Sequence, residues 1–140
     1  MAECSVYRLT TEQPLPSDGR TLRLNFNQRI DDDSSRVATG ENWVYVVPTD
    51  GVYFIQAWVE SRSLLDLGLS AFAATQEGNN LRTVVHNGNP PPQKQSVAKV
   101  DTLSFLQRGD QVWFKAGHSS GGSPPVIDGI ASIALLFPVR

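Results

Sequence analysis

The sequence predicts an all-β fold, a sandwich or a barrel. Three observations carry that reading. Turn signals recur along the whole chain: PLPSDG, DDDSS, TGEN, PTDG, QEGNN, HNGNPPP, RGD and GHSSGGSPP. Eleven Gly and nine Pro fall almost entirely inside them, where their special backbone geometry is needed. Between the turns lie short runs rich in β-branched and aromatic residues. No window of a dozen residues holds the 3.6-residue apolar period of a helix without Gly, Pro or a β-branched run intruding.

The runs follow in order. SVYRL, at 5–9, is a short apolar–polar alternation. In TLRLNF, at 21–26, Leu22, Leu24 and Phe26 share one face opposite Arg23 and Asn25, the pattern of a half-buried strand. NWVYVV, at 42–47, ends at Pro48, and PTDG turns the chain into VYFIQAWVE, at 52–60. LLDLGLSAFAA, at 64–74, reads as one strand, followed by LRTVVH at 81–86. VAKVDTLSFL, at 97–106, and QVWFKA, at 111–116, flank a Gly-Asp pair, a strong hairpin signal. IASIALLF, at 130–137, is the closing strand.

Two runs are apolar on both faces. Tyr53, Ile55, Ala57 and Val59 take one side of 52–59, while Phe54 and Trp58 take the other beside Gln56. Ile133, Leu135 and Phe137 take one side of 130–137, and Ile130, Ala134 and Leu136 the other. A two-layer sandwich covers one face of each sheet. The second face therefore calls for another subunit, or for loops 86–95 and 117–125 folded over it.

Composition narrows the class. A chain of 140 residues is one domain by size and buries enough surface to need no staple. Its net charge is −2, with charged residues at 19%, and its basic residues are scattered, which gives no nucleic-acid footprint. One cysteine, Cys4, rules out an intrachain disulfide. Residues 130–139 are the most apolar stretch and are too short for a membrane span. The opening MAECSVYRL has no basic start followed by an apolar run, so no signal peptide is expected.

From residue 40 onward the order of features resembles the globular head of the complement first component and its tumour necrosis factor relatives. ENWVYVVPTDGVYFIQAWV, with Pro48, Gly51 and Tyr53, is similar to the family's strand, turn and Gly-x-Tyr strand. LSFLQRGDQVWFKA, with the turn at Gly109 and Asp110, is similar to its Gly-Asp corner. IDGIASIALLF resembles its closing strand, and Phe26-Asn27 stands before an acidic turn as the family often has it. The resemblance implies a jelly-roll β-sandwich of about 8–10 antiparallel strands that forms trimers. Residues 20–140 would be the single jelly-roll domain, and residues 1–19 an N-terminal arm or first strand. Candidates for trimer interface or core are Tyr53, Phe54, Ile55, Trp58, Trp113, Ile133, Leu135 and Phe137. Gly51, Gly109 and Asp110 are turn residues.

Catalytic chemistry does not stand out. His86 and His118 each adjoin a Gly-rich loop without a nearby carboxylate or a second His, and read as solvated loop histidines. Cys4 has no neighbour to lower its pKa. There is no Gly-x-Ser-x-Gly elbow and no phosphate loop. Asp31, Asp32 and Asp33 are the one candidate metal cluster. Consecutive residues on an extended chain point to alternate sides and the calcium-loop spacing is missing, so the cluster reads as a solvated turn. Trp43, Trp58 and Trp113 lie inside strands and read as packing residues rather than sugar-stacking platforms. RGD at Arg108 to Asp110 reads as a turn rather than an adhesion motif.

The expectation is a non-enzyme without a cofactor, binding neither nucleic acid nor membrane. It would be a homotrimeric capsid decoration or cement protein of a bacteriophage, assembled in the host cytoplasm, displayed on the virion surface and partnered with the major capsid protein. The alternative is a receptor- or glycan-binding head, as at a tail fibre tip or on a bacterial adhesin.

Overall fold

Alternation decides which way each strand turns. Tyr53, Ile55, Ala57 and Val59 are fully buried, while Phe54, Gln56 and Trp58 between them are not. The same period runs through Val112, Phe114 and Ala116, and through Ala131, Ile133 and Leu135. The computed structural model describes residues 4–32, 35–74, 82–87 and 95–139.

Twelve strands order the described residues: β1 (Cys4–Leu9), β2 (Gln13–Pro14), β3 (Leu22–Arg23), β4 (Gln28–Asp32), β5 (Val37–Ala38), β6 (Val44–Val46), β7 (Gly51–Leu65), β8 (Gly68–Ala74), β9 (Arg82–Asn87), β10 (Gln95–Leu106), β11 (Gln111–Gly117) and β12 (Pro125–Pro138). They form two antiparallel sheets. The first, the long sheet, runs β10-β7-β12-β1-β4, with β2 also paired to β12. The second runs β5-β6-β11-β8-β9, with β3 also paired to β11. Chain neighbours repeatedly lie in opposite sheets, which is the jelly-roll arrangement.

The core lies between the sheets. Trp43 sits at its centre, with Phe26 at 5.5 Å and Phe114 at 5.8 Å between ring centroids. Its indole N–H donates to the Phe26 carbonyl at 3.1 Å, which satisfies the one polar atom the ring carries. Two glycines let the long strands approach. A Cβ on Gly51 would lie 2.5 Å from the Phe137 carbonyl oxygen, and one on Gly129 would lie 2.6 Å from that of Trp58. Gly51 is thus needed for space, whereas Gly109, at φ 89°, is needed for its turn.

Of the two readings of residues 1–19, an arm or a first strand, residues 4–9 form a strand: β1 lies inside the long sheet between β12 and β4, with Tyr7 and Leu9 buried. Three expectations change. Residues 64–74 are not one strand, because the chain turns at Asp66 and Leu67 between β7 and β8. In TLRLNF only Leu22 and Arg23 pair as strand, although Leu24 and Phe26 are buried as the alternation requires. Phe137 leaves the face of Ile133 and Leu135: a bulge between Leu135 and Phe137 shifts the register, and Phe137 is 63% exposed. Asp33 and most of loop 86–95 lie outside the described residues.

Candidate functional site

The outer face of the long sheet, turned away from the core, carries exposed apolar side chains. Its cross-strand rows follow from the register. Leu103, Phe54, Ala134 and Cys4 form one row across β10, β7, β12 and β1. Lys99, Trp58, Ile130 and Arg8 form another. Between them runs a polar row of Asp101, Gln56 and Ser132, which ends at Val6. Phe105 and Val52 add a third apolar row, joined by the displaced Phe137. Leu103 is 60% exposed and Phe105 47%. Cross-strand aromatic and aliphatic pairs of this kind stabilise a sheet, but here much of their surface stays in water.

The sequence-derived residues separate cleanly. Tyr53, Ile55, Ile133 and Leu135 face the core. Phe54, Trp58 and Phe137 belong to the outer face or its rim. Trp113 is buried, 9% exposed, within the apolar core cluster, stacked on Phe72 with 6.1 Å between centroids and under the Arg23 guanidinium at 4.5 Å. Arg23 also donates to the Trp43 carbonyl, and burial pulls its guanidinium below its usual value. The contribution of β10 was missed. Its signal was the alternation of Val97, Leu103 and Phe105 opposite Ala98, Val100 and Leu106.

The titratable groups are used in structure. Asp32, read as part of a solvated turn or a metal cluster, is 1% exposed. It accepts from the Ser5 hydroxyl at 2.9 Å, the Tyr7 hydroxyl at 2.8 Å and the Arg36 main-chain N–H at 3.2 Å. Burial, reinforced by Asp32, pushes the Tyr7 hydroxyl up to about 12. Asp31 beside it is exposed, so the two carboxylates do not converge; among the described residues no cluster of three potential metal ligands forms. Asp128 pairs with Arg8 at 3.1 Å, and that hydrogen bond holds its carboxyl below the usual range. Asp66 clasps the loop after β11 by accepting from the Ser119 N–H and the Ser120 hydroxyl. Burial works against its ionisation, but those hydrogen bonds outweigh it and hold the carboxyl well below the usual carboxylate range.

His118 also differs from expectation. It is 4% exposed, and its Nδ1 accepts from the Ser120 N–H at 3.1 Å. His86 lies within β9, opposite Ser70. The Gly109-Asp110 turn is structural: the Asp110 carboxylate accepts from the Gln107 N–H at 2.9 Å and is buried. A separate cleft of about 350 Å³ opens beside Arg23 and Glu41, with Gln13, Asn25, Pro14 and Leu22 in its walls. The Gln13 amide ties it together, donating to the Asn25 carbonyl and accepting from the Asn25 N–H.

This geometry has counterparts among solved structures. The globular domain of zebrafish complement 1qA protein superposes with a TM-score of 0.71 at 13% identity, over 98% of this chain and 99% of that one. The chain has the C1q/TNF jelly-roll fold. Murine APRIL follows with a TM-score of 0.67 at 13% identity, over 96% of this chain and 100% of that one. Eiger TNF from S. frugiperda gives 0.62 at 10% identity, over 99% and 95%. No protein-family model and no curated protein sequence matches the chain. The C1q/TNF likeness is therefore one of backbone architecture.

Proposed function

We infer that the protein is a homotrimeric, non-catalytic head whose subunits meet through the outer face of the long sheet. One observation carries this: Leu103, Phe54, Phe105, Val52 and Phe137 share an outer face that alternation makes apolar, over a sheet whose other face is already full. The exposed part of each such side chain moved from water into an interface contributes roughly 25 cal/mol per Å², and permanent interfaces of this kind run above about 2,000 Å². The C1q/TNF fold supports the number three, because its jelly rolls typically assemble as trimers. Sedimentation velocity tests the reading: the expected species is about 46 kDa, three times the 15.3 kDa chain. A stable monomer at micromolar concentration overturns it.

For the use of such a head, we infer decoration of a phage capsid, bound to the major capsid protein. The buried and paired carboxylates Asp32, Asp110 and Asp128 all hold the fold, and the exposed apolar rows of the long sheet suit assembly. Mass spectrometry of purified virions tests this: the chain should be present in fixed ratio to the capsid protein, and its absence ends the reading. The second reading, a receptor- or glycan-binding head, draws on the cleft at Arg23 and Glu41, whose volume lies in the range of small-ligand sites. A glycan array with the wild type and Arg23→Ala separates the two.

A further inference from the structure

The outer face of the long sheet carries a charge pattern as well as an apolar one. β10 lies at one edge of that sheet, and β1 lies on the other side, beyond β7 and β12. Along β10 the outward side chains are Phe105, Leu103, Asp101 and Lys99, each two residues from the next. On the far side the successive rows are Cys4 with Ala134, Val6 with Ser132, Arg8 with Ile130, and last Asp128. Leu103 shares its row with Cys4, Asp101 with Val6 and Lys99 with Arg8. Asp101, Lys99 and Arg8 are exposed, and Arg8 pairs with Asp128 of its own chain at 3.1 Å.

A ring of three joins unlike surfaces, so one side of this face meets the opposite side of the next copy. Met row for row, Lys99 would face the partner's Arg8 and Asp101 would face the partner's Val6. Like charges opposed, and a carboxylate against an aliphatic side chain, are both unfavourable. A shift of one row removes both conflicts. Phe105 then meets the partner's Cys4, Leu103 the partner's Val6, Asp101 the partner's Arg8 and Lys99 the partner's Asp128. The opposite shift sets Asp101 against the partner's Cys4, so the pattern also selects a direction. Two residues of strand span about 6.8 Å and three strand spacings about 14 Å, so strands inclined about 25° to the three-fold axis supply that shift.

We propose that neighbouring subunits pack one row out of register, β10 of one copy against β1 and β12 of the next, and that two cross-subunit ion pairs fix this register: Asp101 to Arg8 of the partner subunit, and Lys99 to Asp128 of the partner subunit. This rests on the trimer inferred above. The four charges alternate in sign and extend the pair that Arg8 already makes with Asp128. They set alignment more than they add affinity; the affinity comes from Leu103 and Phe105 beside them.

The native Cys4 supplies the test. Phe105→Cys, made in the full chain and oxidised with diamide, should give a covalent trimer on a non-reducing gel, because the shift brings position 105 to Cys4 of the partner subunit. Within one chain the two positions lie three strands apart, beyond the ~7 Å Cα separation a disulfide spans. Leu103→Cys should cross-link poorly, and Phe105→Cys combined with Cys4→Ser not at all. Independently, Asp101→Lys sets like charge against the partner's Arg8. It should raise the concentration of half-dissociation about tenfold or more in sedimentation, with the circular dichroism spectrum unchanged. A wild type that sediments as a monomer removes the trimer and this register with it. A trimeric wild type whose Leu103→Cys variant cross-links in place of Phe105→Cys, or whose assembly Asp101→Lys leaves as tight as before, overturns the register alone.

Discussion

Asp50 accepts a hydrogen bond from the main-chain N–H of Arg108 at 2.7 Å. That bond joins the turn before β7 to the turn between β10 and β11. Main-chain bonds from Gly109 to the Val47 carbonyl and from Val139 to the Asp50 carbonyl complete the clasp. The Arg-Gly-Asp string is therefore occupied in holding one end of the sandwich shut. Asp50→Ala should destabilise by about 1 kcal/mol, a melting-temperature loss of a few degrees. Asp50→Asn keeps an acceptor oxygen and should recover most of it. Thermal melts of the two variants check the order.

Asp32 should be the most sensitive carboxylate. Three donors converge on its two oxygens, and an amide would turn an N–H toward at least one of them. Asp32→Asn should therefore cost about as much as Asp32→Ala, roughly 1–3 kcal/mol for the donors left unpaired. Denaturant unfolding of both variants tests this. Because Asp31 is exposed while Asp32 is committed inward, chelator should leave the melting temperature unchanged. A loss on chelation that calcium restores would reverse this assignment.

Alkaline stability follows from Tyr7. Its hydroxyl is raised from 10.0 to about 12, first by burial and then by its bond to Asp32. The unfolded chain releases this proton first as pH rises. The stabilisation is complete below pH 10.0 and is lost as pH climbs towards about 12. Tyr7→Phe should flatten stability across that window while lowering it near neutrality. A stability profile measured from pH 8 to 12 by denaturant titration reads both effects at once.

The strands and turns were legible because their signals are local. Pro48-Thr49-Asp50-Gly51 and Gly109-Asp110 mark turns within four residues, and the alternation of 52–59 assigns each side chain to a face. Asp32 was not legible because its burial depends on Ser5 and Tyr7, 27 and 25 residues away in sequence. The break at Asp66-Leu67 hid in an apolar run, since the Asp66 partners Ser119 and Ser120 lie 53 and 54 residues on. Phe137 was misplaced by a bulge, which adds one residue to the count and reverses every face after it.

Residues 4–9 should prove indispensable. β1 supplies hydrogen bonds to β12 on one side and β4 on the other, and it buries Tyr7 and Leu9. Deleting it would open the long sheet along the β12 edge and leave Asp32 without Ser5 and Tyr7. An unpaired, apolar edge of that length invites aggregation. The truncated chain should be recovered as insoluble or unfolded protein by circular dichroism and light scattering. A soluble, cooperatively melting product would show that the sheet closes without β1.

The two faces of β7 and β12 should respond differently to the same insult. Ile133 is in the core, so Ile133→Asp buries an unpaired carboxylate and should unfold the subunit. Phe54 and Leu103 are directly paired on the outer face, and Leu103 is 60% exposed in the isolated subunit. Leu103→Asp there should leave the sandwich intact while placing a charge in the subunit interface, where three copies would meet. The expected result is a folded monomer of 15.3 kDa, or a chain that aggregates through its remaining apolar rows. Lys99→Ala, beyond the polar row of Asp101, keeps the apolar rows of Leu103 and Phe105 and should leave the oligomer whole. Sedimentation velocity beside circular dichroism distinguishes these states. If Leu103→Asp sediments as the wild type does, the outer face of the long sheet is not where the subunits join.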